Sequence, residues 1–241
     1  MRKTVLWVGL FALMMAYFES SVVVYLRAIA YPEGFSFPLS PVPASILFTE
    51  VGREAASLVM IVSVAVLAGK GRRSRFAFFL LIFGIWDIFY YVFLWVLLGW
   101  PSSILDWDVL FLIPVMWSGP VLAPVLVSLV MITVGGALLL RRPEAPHRGG
   151  TPRTGGTMIM KRAEWALLIT GALVIFISFI WDYVRFLVSS SQGSGDFALQ
   201  EAGMMYTPES FPWLLFGIGL TLAASPVVLI VRRAGKRVRR D

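Results

Sequence analysis

No cysteine occurs among the 241 residues, which excludes disulfides, thiolate nucleophiles, iron–sulfur clusters and soft-metal thiolate sites. The single histidine, His147, lies in a stretch rich in Pro, Gly, Thr and Arg, so neither a bis-histidine haem nor a histidine-clustered metal centre has ligands here. Charge is scarce as well, at 15% of residues against about 25% in an ordinary soluble domain. There is no phosphate-cradling P-loop and no dinucleotide-type glycine motif. Ser20 and Ser21 have no histidine or lysine within the apolar runs to act as their base. These absences remove most membrane redox enzymes and leave no metal site or cofactor to expect.

What remains is apolar. Hydrophobic residues make up 58% of the chain, and its mean hydropathy is +0.80. They gather into six runs, at about 4–30, 46–68, 76–100, 115–140, 163–188 and 210–231, each long enough to cross the roughly 30 Å of bilayer hydrocarbon. The fold class expected is an all-α integral membrane protein, a six-transmembrane-helix bundle. Arg2 and Lys3 before the first run suggest a signal peptide, but no small-residue cleavage site follows and Val22, Val23 and Val24 resume the run, so it reads as a retained span. Pro32, Pro38, Pro41 and Pro43 then mark an extended loop.

Of the 21 basic residues, all but Arg27, Arg53 and Arg185 fall at the two ends or in the loops joining spans two to three and four to five. By the positive-inside rule that side is cytoplasmic, which places both termini in the cytoplasm and the chain in the plasma (inner) membrane. The opposite loops carry Glu33, Asp106, Asp108, Asp196, Glu201 and Glu209 but no Lys or Arg. The net charge of +7 thus reflects orientation and attraction to anionic headgroups at the cytoplasmic face rather than nucleic-acid binding, for which no aromatic and basic interleaving is present.

Residues 104–140 are too long for one helix and contain Pro114, Pro120 and Pro124, so a short interfacial or re-entrant helix at 104–113 is expected before the fourth span. Four organisational units follow: a four-span unit at 1–140, a basic cytoplasmic linker at 141–162, a two-span hairpin at 163–231 and a basic tail at 232–241. The linker and tail have compositions that cannot bury an apolar core. Gly219 and Ala223 have the small-xxx-small spacing of an ordinary helix contact. Ile85-Trp86-Asp87 recurs as Ile180-Trp181-Asp182, too short a match to mark a repeat.

The informative residues are the charges inside spans, each costing on the order of 3 kcal/mol at the centre of a helix. At 1.5 Å per helical residue, Asp87 lies about 18 Å from the last basic residue on its inner side, Glu19 and Glu54 about 24 Å, and Arg53 about 26 Å. These four share a layer in the outer half of the membrane, contributed by three consecutive helices. Glu50, Arg53 and Glu54 are spaced i, i+3, i+4 on one face, and Asp87, Tyr90 and Tyr91 repeat that spacing. Arg53 is the one arginine available to balance Glu19, Glu54 and Asp87, with Glu54 its nearest expected partner. Glu50, Asp182 and Arg185 are secondary candidates; Asp182 and Arg185 can pair within their own helix, and Arg27 snorkels outward.

Crowded carboxylates around one arginine suit proton exchange or a cationic ligand, so a small transporter or proton-linked permeation unit is the leading functional expectation. Its small size makes a homodimer or larger membrane complex the expected assembly. The alternatives are an intramembrane acid/base enzyme acting on a lipid or isoprenoid, with Asp87 or Glu54 as general acid, Arg53 holding an anionic head group and Tyr90, Tyr91 and Trp86 lining the substrate channel, and a non-catalytic subunit whose charges only fix helix packing. Whether the chain is an enzyme is left open by these residues.

Overall fold

A computed structural model of the chain describes residues 2–140, 160–191 and 205–238. Six long helices are described: α1 (Arg2–Ala30), α2 (Ala44–Ala68), α3 (Arg72–Leu98), α4 (Leu122–Leu140), α5 (Arg162–Ser191) and α6 (Trp213–Val238). The first five are long and apolar enough to cross a membrane, whereas α6 has a shorter apolar portion, Trp213–Leu229. Helices are forced on such segments because hydrocarbon offers the backbone no hydrogen-bond partners. Their ends coincide with residues that cannot continue them. Tyr31 and Pro32 follow α1, and α3 stops at Gly99, whose left-handed conformation (φ 66°) lets its N–H return to the Trp95 carbonyl before Pro101.

The segment between α3 and α4 is a β-hairpin, not the expected short helix. Strands β1 (Trp107–Phe111) and β2 (Trp117–Pro120) pair antiparallel, with Asp108 opposite Gly119, Val109 opposite Ser118, and a bulge between Val109 and Phe111. The fold is therefore a helical bundle with one inserted hairpin rather than purely α. A short apolar run such as Val109–Ile113 has no periodicity that separates strand from helix. Pro114 and Pro120 break any helical continuation, and strand pairing satisfies the backbone instead. The Val121 and Leu122 amides bond to the Asp106 and Ile104 carbonyls, at 3.0 and 2.8 Å, and so tie the base of the hairpin to the start of α4. The fourth helix consequently begins at Leu122 rather than near 115.

Helix α3 packs against α1, α2 and α4; α5 packs against α6 and β2; α6 also meets α4. One core joins α1, α2 and α3 through Ala12, Ala16, Ile61, Ala65 and Ile82. A second joins α4, α5 and α6 through Ala123, Ile175, Phe179, Phe216 and Ala223. Small residues set the closest helix approaches. A Cβ added at Gly171 would lie 2.5 Å from the Ala223 amide nitrogen, and one at Gly84 would lie 2.7 Å from the Ser128 carbonyl oxygen. The Gly219 and Ala223 pair is thus a contact between α6 and α5 of the same chain. Of the expected basic linker, residues 141–159 lie outside the described residues, and Met160 is buried against Ala77 and Val134. The expected tail continues α6 as far as Val238, and 239–241 lie outside the described residues.

Candidate functional site

Two adjoining chambers lie inside the bundle. The smaller, about 60 Å³, is polar and is lined by Glu19 of α1, Arg53, Glu54 and Ser57 of α2, Asp87, Tyr90 and Tyr91 of α3, and the hairpin residues Val109–Phe111. Depth counting along three separate helices placed Glu19, Arg53, Glu54 and Asp87 in one layer, and the fold brings all four to this chamber together with both tyrosines. A space of that size holds a few waters.

The pairing inside it differs from the expectation. Glu19, only 2% exposed, accepts hydrogen bonds from Arg53 Nη1 and from the Ser57 hydroxyl. Arg53 Nε donates to Glu50 Oε2 at 2.8 Å, so Glu50 belongs to the network without lining the chamber. Glu54 is not the partner of Arg53. Its Oε2 accepts the Leu112 backbone N–H at 2.9 Å, a donor supplied by the hairpin. Asp87 is likewise free of the arginine; its Oδ2 accepts the Ser128 hydroxyl of α4 at 2.8 Å. Arg53 thus bonds both Glu19 and Glu50, one positive charge between two carboxylates, and leaves Glu54 and Asp87 held by neutral donors.

A second buried pair was not foreseen. Arg27 does not snorkel outward: it is 7% exposed, and its Nη2 donates to Asp108 Oδ1 at 3.1 Å, with Asp108 only 3% exposed. The guanidinium also lies 3.8 Å from the Trp100 ring centroid and 4.3 Å from that of Phe35. Asp108 stands inside the apolar run Val109–Ile113 and Trp107, and that setting is the sequence signal that distinguishes it from the other loop carboxylates. Asp182 and Arg185 lie elsewhere, at the opposite end of α5 from Arg162. The Asp182 carboxylate takes the Tyr206 hydroxyl at 2.9 Å and the Glu209 amide at 3.1 Å, and no ion pair joins it to Arg185. The flanking segment Tyr206–Glu209 thus supplies both donors to one carboxylate oxygen of Asp182.

The larger chamber, about 430 Å³, lies between α3 and α4 on one side and α5 and α6 on the other, with the hairpin across one end. Nine of its lining residues are aromatic, and among the described residues Asp87 and Ser128 are the only charged or hydroxyl-bearing side chains in its wall. Phe76 and Trp165 meet at 5.0 Å between centroids and close the end away from the hairpin. Phe76 and Asp87 are eleven helical residues apart, so the chamber runs about 16 Å along α3. Its side is open where the lining residues Ile169 and Ala172 are exposed on α5. Trp86, Asp87, Leu110 and Phe111 line both chambers and form the wall between them. The buried indole nitrogens Nε1 of Trp86, in this wall, and of Trp117, which lines the larger chamber alone, have no hydrogen-bond partner among the described residues. Of the proposed channel residues, Trp86 lines the apolar chamber, while Tyr90 and Tyr91 face only the polar one.

Among the described residues no three His, Asp or Glu side chains converge as a metal centre requires. No protein-family model, curated protein or solved structure matches the chain. The geometry defines a multi-pass helical membrane protein with buried ion pairs and two chambers sharing an aspartate.

Proposed function

We propose that the protein binds an amphipathic lipid or isoprenoid of the bilayer and performs acid–base chemistry at its head group. The apolar part occupies the aromatic chamber and the head group lies against Asp87. The observation that carries this reading is the shared wall: a chamber within the roughly 300–1,000 Å³ range of small-molecule sites, almost wholly apolar, ends on a carboxyl group that no cation among the described residues pairs with. Ser128 orients Asp87, and the polar chamber behind it supplies waters and tyrosine hydroxyls along which a proton can leave. The open side between α3 and α5 gives a bilayer molecule a lateral way in. The same reading keeps six spans with both termini on the basic, cytoplasmic side of the plasma membrane, supported by the confinement of Lys and Arg to that side.

Transport is the second reading, favoured by one observation. The interior holds Glu19, Glu50, Glu54, Asp87 and Asp108 against Arg27 and Arg53, an excess of carboxylates that suits proton or cation passage. The binding reading ranks first because, among the described residues, the sizeable chamber that reaches this layer at Asp87 is apolar.

Native mass spectrometry of the purified protein tests it. The wild type should release an amphiphile of defined mass, and Val127→Trp, which fills the apolar chamber, should retain less than about a tenth as much while melting cooperatively. Equal recovery from both proteins overturns the proposal.

A further inference from the structure

We infer that the apolar chamber measures its ligand: it takes one chain of about twelve to fourteen main-chain carbons, or three isoprene units, and Phe76 with Trp165 form the stop that sets this length. The inference rests on the binding reading above and adds the number and length of the ligand's chains. At the stop, the Phe76 ring of α3 and the Trp165 ring of α5 meet at 5.0 Å between centroids, inclined at 47°, and so bridge the two helices across the end of the chamber. Asp87 and the hairpin residues Leu110 and Phe111 stand at the other end. Two helices give the distance between the ends. Phe76 and Asp87 are eleven residues apart on α3, about 16 Å, and the outermost lining residues of α4, Pro124 and Val134, are ten apart, about 15 Å. A fully extended chain gains about 3.3–3.6 Å for every three bonds, roughly 1.2 Å per bond, so this distance holds about thirteen bonds.

The width admits a single chain. Spread over about 16 Å, a volume of about 430 Å³ leaves a mean cross-section of roughly 27 Å². Apolar groups in contact lie about 4.0–4.5 Å apart, so one alkyl chain needs roughly 20 Å² and two need about twice that. The wall made by α3 and α4 cannot part to make room. A Cβ added at Gly84 would lie 2.7 Å from the Ser128 carbonyl oxygen, and one at Gly135 would lie 2.8 Å from the Ala77 carbonyl oxygen, so the two helices are in backbone contact at two levels of the chamber. The side opening at Ile169 and Ala172 lies between the stop and the Asp87 end, where a chain can slide in from the bilayer. Once inside, its tip abuts the two rings. A longer chain must overfill the space or leave part of itself outside, and either course forfeits contacts that a fitted chain makes.

A length series tests the stop. The full-length protein in detergent is given saturated 1-alkanols of about eight to eighteen carbons, chosen as small-headed probes that bracket the measured length, each at equal mole fraction in the micelle, and binding is read by native mass spectrometry and by the rise in melting temperature. Binding should peak at about twelve to fourteen carbons and be about ten-fold or more weaker at the longest chain. The branched alcohol 2-decyl-1-tetradecanol, which carries the same head on two chains, should bind about ten-fold or more weakly than dodecanol. Phe76→Ala removes one ring of the stop and should move the peak about two to four carbons toward longer chains; Trp165→Ala repeats the test should the first variant fail to fold. Binding that keeps rising to the longest chain, a peak that stays in place in both variants, or equal binding of the two-chain alcohol and dodecanol overturns the length assignment and leaves the chamber reading standing. If no alkanol binds, and Val127→Trp matches the wild type throughout, the chamber reading itself fails.

Discussion

The two chambers dispose of buried polarity in opposite ways. In the small one the protein answers its own charges: Arg53 is shared by Glu19 and Glu50, and Glu54 is met by the hairpin amide of Leu112. At the wall of the large one, polar atoms are left over, with two indole N–H groups unpartnered and Asp87 held by one hydroxyl. Arg27 stands between these cases, since its Nη1 has no acceptor and its guanidinium instead lies against the faces of Trp100 and Phe35. The contrast separates polar groups that position helices from polar groups offered to a ligand. A group paired within the chain ties two elements together.

The largest effect tests the first half of that contrast. Breaking a buried pair by deleting one partner typically costs about 3–5 kcal/mol, whereas removing both is often close to neutral. Arg53→Leu strands Glu19, which then keeps only Ser57, and so should lower the stability of the protein in mixed micelles by about that amount. Adding Glu19→Leu should recover most of the loss. A double variant as unstable as the sum of the two singles would show that Arg53 and Glu19 act independently, and Arg53 would then belong with the ligand-facing groups.

A smaller effect concerns the contact that aims Asp87. Because Gly84 lets α3 approach the Ser128 segment of α4, Gly84→Ala forces the helices apart and moves the hydroxyl that orients the carboxylate. Overpacking of this kind costs about 1–3 kcal/mol. Gly9, with nothing within 4 Å of an added Cβ, is the control: Gly9→Ala should be neutral or stabilising by under about 1 kcal/mol. Denaturation of the two variants measures the difference, and retention of copurified amphiphile should fall for Gly84→Ala alone. Unchanged retention would detach Ser128 from the site.

Which of these features could be read from the chain follows from geometry. Helical rise is fixed at 1.5 Å per residue, so counting from the basic residues puts Glu19, Arg53, Glu54 and Asp87 at similar depth without reference to packing. Depth says nothing of azimuth or of partners, and for that reason Arg53 was matched with Glu54 although Glu19 and Glu50 hold it. The hairpin was illegible for a different reason. Residues 107–111 are too few to display a period, and their pairing depends on Trp117–Pro120, so the burial of Asp108 and its reach to Arg27 exist only once the strands fold into the bundle. The apolar chamber was invisible altogether, because an aromatic facing a cavity has the same composition as one facing lipid.

The smallest expected effect comes from a carboxylate outside both chambers. At the foot of the hairpin Asp106 accepts hydrogen bonds from the Ser102 amide at 2.7 Å, the Ser102 hydroxyl at 2.8 Å and the Ser103 amide at 3.1 Å. Slight burial pushes this carboxyl up, but the three donors together outweigh it and hold the group below the ordinary aspartate range. A depressed folded-state pKa means stability that is present above the unfolded value of about 3.9 and is lost as the pH falls through the folded value. Because Asp106 is only partly buried, water screens much of the gain, and Asp106→Asn should cost less than about 1 kcal/mol near neutral pH. Melting curves at pH 7 and pH 3 give the sign: the wild type should lead the variant at the higher pH and lose that lead at the lower. Asp106 lies just before Asp108, so a larger loss at neutral pH, accompanied by weaker amphiphile retention, would show that these surface donors hold the hairpin across the end of the apolar chamber and that the two kinds of polar group are coupled through it.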